Sequence, residues 1–369
     1  LTDIRPFRLD IAQADLDDLH ARLDRVRWPD EIPGLGWQHG VPLPYMKELV
    51  GHWRDGYDWR RAEAELNQHD QFVTEIDGQR VHFLHVRSAA PDALPLLITH
   101  GWPSSPVEYL DVIEPLSRDF HLVIPSLPGY GLSGPTTETG WGSTRIAKAW
   151  LELMTRLGYD RFGVQGGDWG TWISREVGVL APERVAGMHG NGIICFPIGA
   201  PGELDGLTEV ERERMAFRET YLTQQYGYKL IQSTRPQTFA YGMTDSPVAL
   251  LSWFASVYHE WSDRDIDPDR LLTTTMLYWL TGTAGSAARS FVETPDTEQD
   301  TSVAWELTAA TVPTSISVFP KDILRPIRRF AERDNTIVGW VEHDRGGTFA
   351  ALEEPEAFVT DVRAFFTGR

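Results

Sequence analysis

The chain has 369 residues, and 34 Lys and Arg against 53 Asp and Glu leave a formal net charge of −19. Such a charge argues against a nucleic-acid binder, which needs a basic surface for phosphate, and against docking on anionic lipid. With 41% hydrophobic and 24% charged residues, the composition is that of a globular protein with one large domain or two. Cys195 is the only cysteine, so neither a disulfide within the chain nor a Cys-rich zinc site can form. Residues 1–10 have no apolar signal core, and no stretch of about 18 apolar residues occurs. The expectation is a cytoplasmic protein without membrane association.

Residues 9–27 place Leu9, Leu16, Leu19, Leu23 and Val26 at helical spacing opposite a charged face. Trp28-Pro29-Asp30 stops that helix, and a Gly/Pro/Trp-rich connector over 31–44 leads to a second helical pattern over 45–52. Trp53, Tyr57 and Trp59 give this arm enough apolar surface to pack on something else, but too little for its own core. From Gln71 the period switches to two, and Asp77-Gly78 joins two antiparallel strands. Buried-strand runs follow at Leu94–Thr99, Phe120–Pro125 and 162–165, alternating with helical patterns at 107–116, 145–157 and 171–180. That alternation predicts an α/β protein, a mostly parallel sheet with helices on both faces. Over 196–300 strand patterns nearly vanish, and the segment is helical and aromatic, with Trp253, Phe254, Tyr258, Trp261, Tyr278 and Trp279. Strands return at 314–318 and 336–340, and a helix over 354–366 closes the chain. The predicted division is an N-terminal arm (1–70), a first core part (71–195), a helical cap (196–300) and a second core part (301–369).

The most informative stretch is Val164-Gln165-Gly166-Gly167-Asp168-Trp169-Gly170-Thr171, between an expected strand and an expected helix. Small residues flank one reactive residue, the pattern of a nucleophile elbow with Asp where Ser is usual. A carboxylate nucleophile attacks sp³ carbon and yields an alkyl ester, which suits epoxides or alkyl halides rather than peptide bonds. The plainer alternative is a glycine-rich turn with Asp168 as helix N-cap. His100-Gly101-Trp102-Pro103 ends one strand, and Pro125-Ser126-Leu127-Pro128-Gly129-Tyr130-Gly131-Leu132-Ser133 is a tight loop after another.

Together these motifs resemble the α/β-hydrolase epoxide hydrolases, in particular the microsomal-type branch with an N-terminal meander. The resemblance runs from Arg5-Pro6-Phe7 and Arg27-Trp28-Pro29 to Gly346-Gly347-Thr348-Phe349-Ala350-Ala351-Leu352-Glu353. It includes the cap stretches Thr234-Arg235-Pro236-Gln237-Thr238, Asp245-Ser246-Pro247 and Met276-Leu277-Tyr278-Trp279-Leu280-Thr281-Gly282-Thr283. It implies an α/β-hydrolase fold with Asp168 as nucleophile and the Trp102 and Trp169 N–H groups as oxyanion hole. Asp322 of Phe319-Pro320-Lys321-Asp322 would be the acid that orients a water-activating His. Tyr228 of Tyr226-Gly227-Tyr228 would be a ring-opening tyrosine, with His100 and Pro103 beside the substrate. The substrate implied is a small-molecule hydrophobic epoxide, a bulky one in view of the aromatic cap. The resemblance also suggests a homodimer, and no cofactor is expected.

Two positions depart from the family pattern. Thr348 stands where the general-base His belongs, and its hydroxyl has no pKa near neutrality, so it cannot act as that base. Phe291 occupies the place of the second ring-opening tyrosine, without the hydroxyl. His343 is five residues before Thr348 and would need a rearranged loop to substitute. The expectation is therefore an epoxide hydrolase-family enzyme, hydrolytic or diverted to cyclisation or isomerisation. The alternatives are a haloalkane dehalogenase-like enzyme, with halide near Trp169, and an inactive binder of hydrophobic ligands. No metal is expected: His82 and His85 face opposite sides of a strand, and His259-Glu260 lacks the second His of a zincin helix.

Overall fold

The computed structural model describes residues 3–294 and 308–368. Nine strands form one sheet: β1 (Arg5–Phe7), β2 (Gln71–Ile76), β3 (Gln79–Val86), β4 (Leu94–Thr99), β5 (Phe120–Pro125), β6 (Phe162–Gly167), β7 (Val185–Asn191), β8 (Ala310–Val318) and β9 (Asn335–Glu342). Their order is β1-β2-β3-β5-β4-β6-β7-β8-β9. The pairs at the β1 end are antiparallel as far as β3–β5, and all pairs from β5–β4 onward are parallel. This is the α/β-hydrolase fold.

The arm carries helices α1 (Gln13–Leu23), α2 (Leu43–Asp55) and α3 (Trp59–Leu66). Helices α4 (Leu110–Ser117), α5 (Ser143–Arg156) and α6 (Trp169–Leu180) connect the parallel strands. Above the sheet lie α7 (Glu209–Thr220), α8 (Gly227–Thr234), α9 (Pro236–Asp245), α10 (Pro247–Trp261), α11 (Pro268–Thr281) and α12 (Ala284–Glu293). The chain ends with α13 (Arg328–Asp334), α14 (Ala350–Glu353) and α15 (Pro355–Phe366). The expected cap boundary at 300 and the start of the second core part at 301 lie outside the described residues. Among the described residues no helix is long and apolar enough to cross a membrane.

The hairpin forms where the turn chemistry places it. Asp77 (φ 52°) and Gly78 (φ 74°) both take positive φ, as a type I′ turn requires, and Ile76 pairs with Gln79. Two strands have no clear periodic signal in the sequence. Arg5–Phe7 pairs antiparallel with Gln71–Val73, so the arm contributes an edge to the core sheet. In β7, Gly187, His189, Gly190 and Asn191 interrupt the apolar run, yet all seven residues are buried.

The arm does not form a separate core: Leu16, Leu19, Leu23 and Trp53 belong to the same buried cluster as the sheet and cap residues. It docks on α11, where Trp53 Nε1–H donates to Met276 Sδ (3.3 Å), Tyr57 bonds Thr273 (2.9 Å) and His52 bonds Asp269 (2.7 Å).

Candidate active site

Between the end of β6 and the start of α6, Asp168 takes φ 50° and ψ −126°. A non-glycine residue held there is strained, which is how an elbow lifts its side chain above the sheet. Two glycines make this turn possible by close approach. A Cβ on Gly170 would lie 1.8 Å from the Thr99 carbonyl oxygen, and one on Gly101 would lie 2.3 Å from Asp168 Oδ2. Gly170→Ala should therefore push α6 off β4 and cost about 3 kcal/mol, since forced overpacking is of that order; urea unfolding measures it, and an unshifted midpoint would contradict the packing.

The approach of Gly101 lets the Trp102 N–H donate to Asp168 Oδ2 at 2.8 Å. Trp169, the first residue of α6, puts its ring into the wall of the same cavity. From the cap, the Tyr228 ring lies parallel to Trp102, with centroids 5.3 Å apart. Phe291 packs edge-on against Trp102 (5.3 Å) and Trp169 (5.3 Å) and lies 6.0 Å from Tyr228. Asp168, Trp102, Trp169, Tyr228 and Phe291 thus line one cavity of about 90 Å³. A carboxylate so held can attack an electrophilic carbon while a phenol donates to the departing oxygen.

Sequence reasoning missed Tyr221. It lines the cavity, and its hydroxyl bonds that of Tyr228 at 2.5 Å. Tyr221 follows α7 and Tyr228 lies on α8, with the helix interrupted between them, so no helical spacing relates the two and the sequence carries no signal that pairs them.

Thr348 and Asp322 meet on neighbouring loops, which Lys321 N–H joins by donating to Gly346 O (3.0 Å). Thr348 Oγ1 donates to Asp322 Oδ1 (3.0 Å) and accepts from Ile323 N–H (3.2 Å); its own N–H donates to Trp261 O (2.9 Å). Both residues are buried, and neither is part of the cavity wall. Burial pushes the Asp322 carboxyl up to about 7, with the Asp168 charge adding to the rise and the bonds from Leu324 N–H and Thr348 opposing it. The loop carrying Thr348 is braced by Glu353, a buried acid the sequence did not flag, whose carboxylate accepts from Gly347 N–H (3.0 Å) and Asp263 N–H (2.7 Å). Burial raises that carboxyl to about 7 as well.

His343 is held elsewhere: its Nε2 bonds Asp361 (2.7 Å) on α15, and its ring stacks on Phe319 (4.5 Å). Two further expectations need correction, because His100 and Pro103 do not line the cavity. His100 is fully buried, accepts Leu127 N–H at Nε2 (3.1 Å) and so carries its proton on Nδ1, which donates to Gly101 O (2.8 Å). Burial lowers its pKa to about 4, so it is a neutral brace for the turn. Pro103 O accepts from the Tyr258 hydroxyl (3.2 Å), fixing the turn to α10. Among the described residues no group of three or more His, Cys, Asp or Glu could hold a metal.

Two family models cover most of the chain: "Epoxide hydrolase N terminus" over residues 4–109 and "alpha/beta hydrolase fold" over residues 95–315. A Stigmatella aurantiaca protein with a provisional epoxide hydrolase name is 40% identical over 98% of this chain and 84% of its own length. Epoxide hydrolase 1 of Sus scrofa is 33% identical over 98% of this chain and 88% of its own. The solved structure of Aspergillus niger epoxide hydrolase superposes with a TM-score of 0.89 at 32% identity, covering 99% of this chain and 96% of that one. Sharing about a third of its residues, along nearly its whole length, with epoxide hydrolases of a mammal and a fungus, this chain belongs to the epoxide hydrolase family of α/β-hydrolases.

Proposed function

We propose that the protein opens a bulky hydrophobic epoxide by attack of the Asp168 carboxylate, and that the chemistry after opening is diverted from base-catalysed hydrolysis. The observation that carries this reading is the Trp102 N–H bond to Asp168 Oδ2, together with the Tyr228 ring stacked on the Trp102 ring in the same cavity. That bond fixes one carboxylate oxygen of a residue that lines the cavity. Attack forms a C–O bond from Asp168 to the epoxide carbon and breaks the ring C–O bond. The developing alkoxide takes its proton from Tyr228, with the Tyr221 hydroxyl supplying the second donor that Phe291 lacks. The cap, core and arm act as the division predicted above, the cap carrying the electrophilic tyrosines and the core the carboxylate.

With Thr348 in the base position, the ester waits for a nucleophile other than an activated water. An internal hydroxyl of the substrate, attacking the epoxide while Asp168 accepts its proton, would avoid the ester and give a cyclic ether. The observation behind this second route is Thr348 itself, bonded to Asp322 in the base position.

Incubation with styrene oxide followed by intact-protein mass spectrometry tests the proposal. One added equivalent on Asp168 is expected, without sustained diol formation; labelling elsewhere, or none, overturns the nucleophile assignment. Release of halide from an alkyl halide would favour the dehalogenase alternative, and Tyr228 counts against it. Tyr228→Phe should slow the labelling about 10²-fold, the usual loss when one donor to a developing oxyanion is removed. An unchanged labelling rate would remove Tyr228 from the reaction.

A further inference from the structure

Beyond Asp168 the cavity continues between α7 and the loop that follows Asp322, and its wall there is basic. Arg214 and Arg218 are one turn apart on α7, and Arg325 faces them from the loop. Among the described lining residues Asp168 is the only carboxylate, inside a protein whose net charge is −19. Arg214 is already engaged: it donates to Pro326 O (2.8 Å) and pairs with Glu342 (3.0 Å). Arg325 donates from Nε to the Asp322 carbonyl (2.9 Å), and its guanidinium lies over the Phe217 ring at 3.3 Å. Arg218 is different. Its guanidinium lies over the Phe196 ring at 4.2 Å, and its Nε is buried without a hydrogen-bond partner among the described residues.

A buried guanidinium N–H without an acceptor is costly, and no described residue accepts from Arg218 Nε. Stacking on aromatic faces fixes the plane of a guanidinium while leaving its N–H edges available for a planar anion. A carboxylate presents two coplanar oxygens that match such an edge. The wall these cations share with Asp168 also carries apolar side chains, among them Met215, Leu222 and Ile323.

We infer that the far end of this cavity binds a carboxylate, so that the substrate is an epoxide joined through an apolar spacer to an acid group. This inference rests on the epoxide reading above and names the substrate class for the same site. It also fits the charge change during reaction. Once Asp168 is esterified its negative charge is gone, and the acid group of the substrate is the anion that remains among the arginines.

The test uses ω-epoxy carboxylates of increasing chain length, each compared with its methyl ester, and reads the rate of alkylation of Asp168. At the chain length that spans the cavity, the acid should react about 10-fold or more faster than its ester, the range for a hydrogen bond between charged groups. In Arg218→Gln that ratio should fall toward one, while Arg218→Lys keeps part of it. Equal rates for acid and ester at every length overturn the inference. So does a preference that survives in both Arg218→Gln and Arg325→Gln. If no epoxide alkylates the protein, the epoxide reading fails separately, and calorimetry with decanoate and decanol still decides the anion site. Decanoate binding without decanol binding supports it; equal binding of both, or of neither, overturns it.

Discussion

Asp168→Asn should abolish covalent capture of styrene oxide, with a loss of about 10⁴-fold or more, as for other deleted nucleophiles. The substitution isolates chemistry from shape. The amide oxygen can still accept the Trp102 N–H, and Asn tolerates the positive φ of 50° at this elbow better than most residues. The amide lacks the charge needed to displace a ring oxygen, so folding and cavity remain while ester formation stops. Mass spectrometry after incubation reads this directly. If the Asp168→Asn protein still gains one equivalent, another side chain is alkylated, and the proposed function falls.

Thr348→His should raise multiple-turnover diol formation by about 10²–10⁴-fold, the usual contribution of a general base. The threonine hydroxyl ends on Asp322 and does not reach the cavity wall. An imidazole at the same Cα is longer; it can keep the bond to Asp322 through one ring nitrogen and direct the other at water beside the Asp168 ester. The backbone at this position is held independently by Trp261 O and by the Glu353 brace on Gly347, so the loop has no reason to move. Asp322, pushed up to about 7 by burial, would orient the neutral imidazole and be stabilised in its charged form by the imidazolium that appears as water gives up its proton. Diol production by the unsubstituted protein at many equivalents per site would mean that a different base already works.

The parts of the fold that could be read from sequence were those where local chemistry and tertiary environment agree. Leu94–Thr99 and Phe120–Pro125 are continuous apolar runs in buried parallel strands, and Asp77-Gly78 takes the turn its residues favour. β7 escaped notice because close packing there demands glycine: a Cβ on Gly187 would meet Phe365 at 2.8 Å. β1 is three residues of mixed polarity whose pairing depends on a partner some 65 residues away, beyond the reach of periodicity. At the site, Asp168, Tyr228, Asp322 and Thr348 were legible because each sits in a motif. Tyr221, Arg218 and Arg325 were not, since they come from separate segments and acquire meaning only by sharing a cavity. His100 was misjudged because a motif gives a residue's place in the chain, not which way its ring faces.

The docking of the arm has a mechanical consequence. β1 is stitched into the core sheet, whereas α2 and α3 are bonded to cap helix α11 through His52, Arg61 and Glu65, and Arg22 of α1 reaches Asp245 at the end of α9. The cap is therefore fastened to the sheet both by its own connections and by a separate strap of chain. A lid fastened twice cannot swing as one piece without tearing the Trp53, Tyr57 and His52 contacts together. Helix α7 is held differently, to the second core part, where Arg214 donates to Pro326 O and pairs with Glu342, so a shift of α7 would break core contacts and leave the arm's grip on α11 intact.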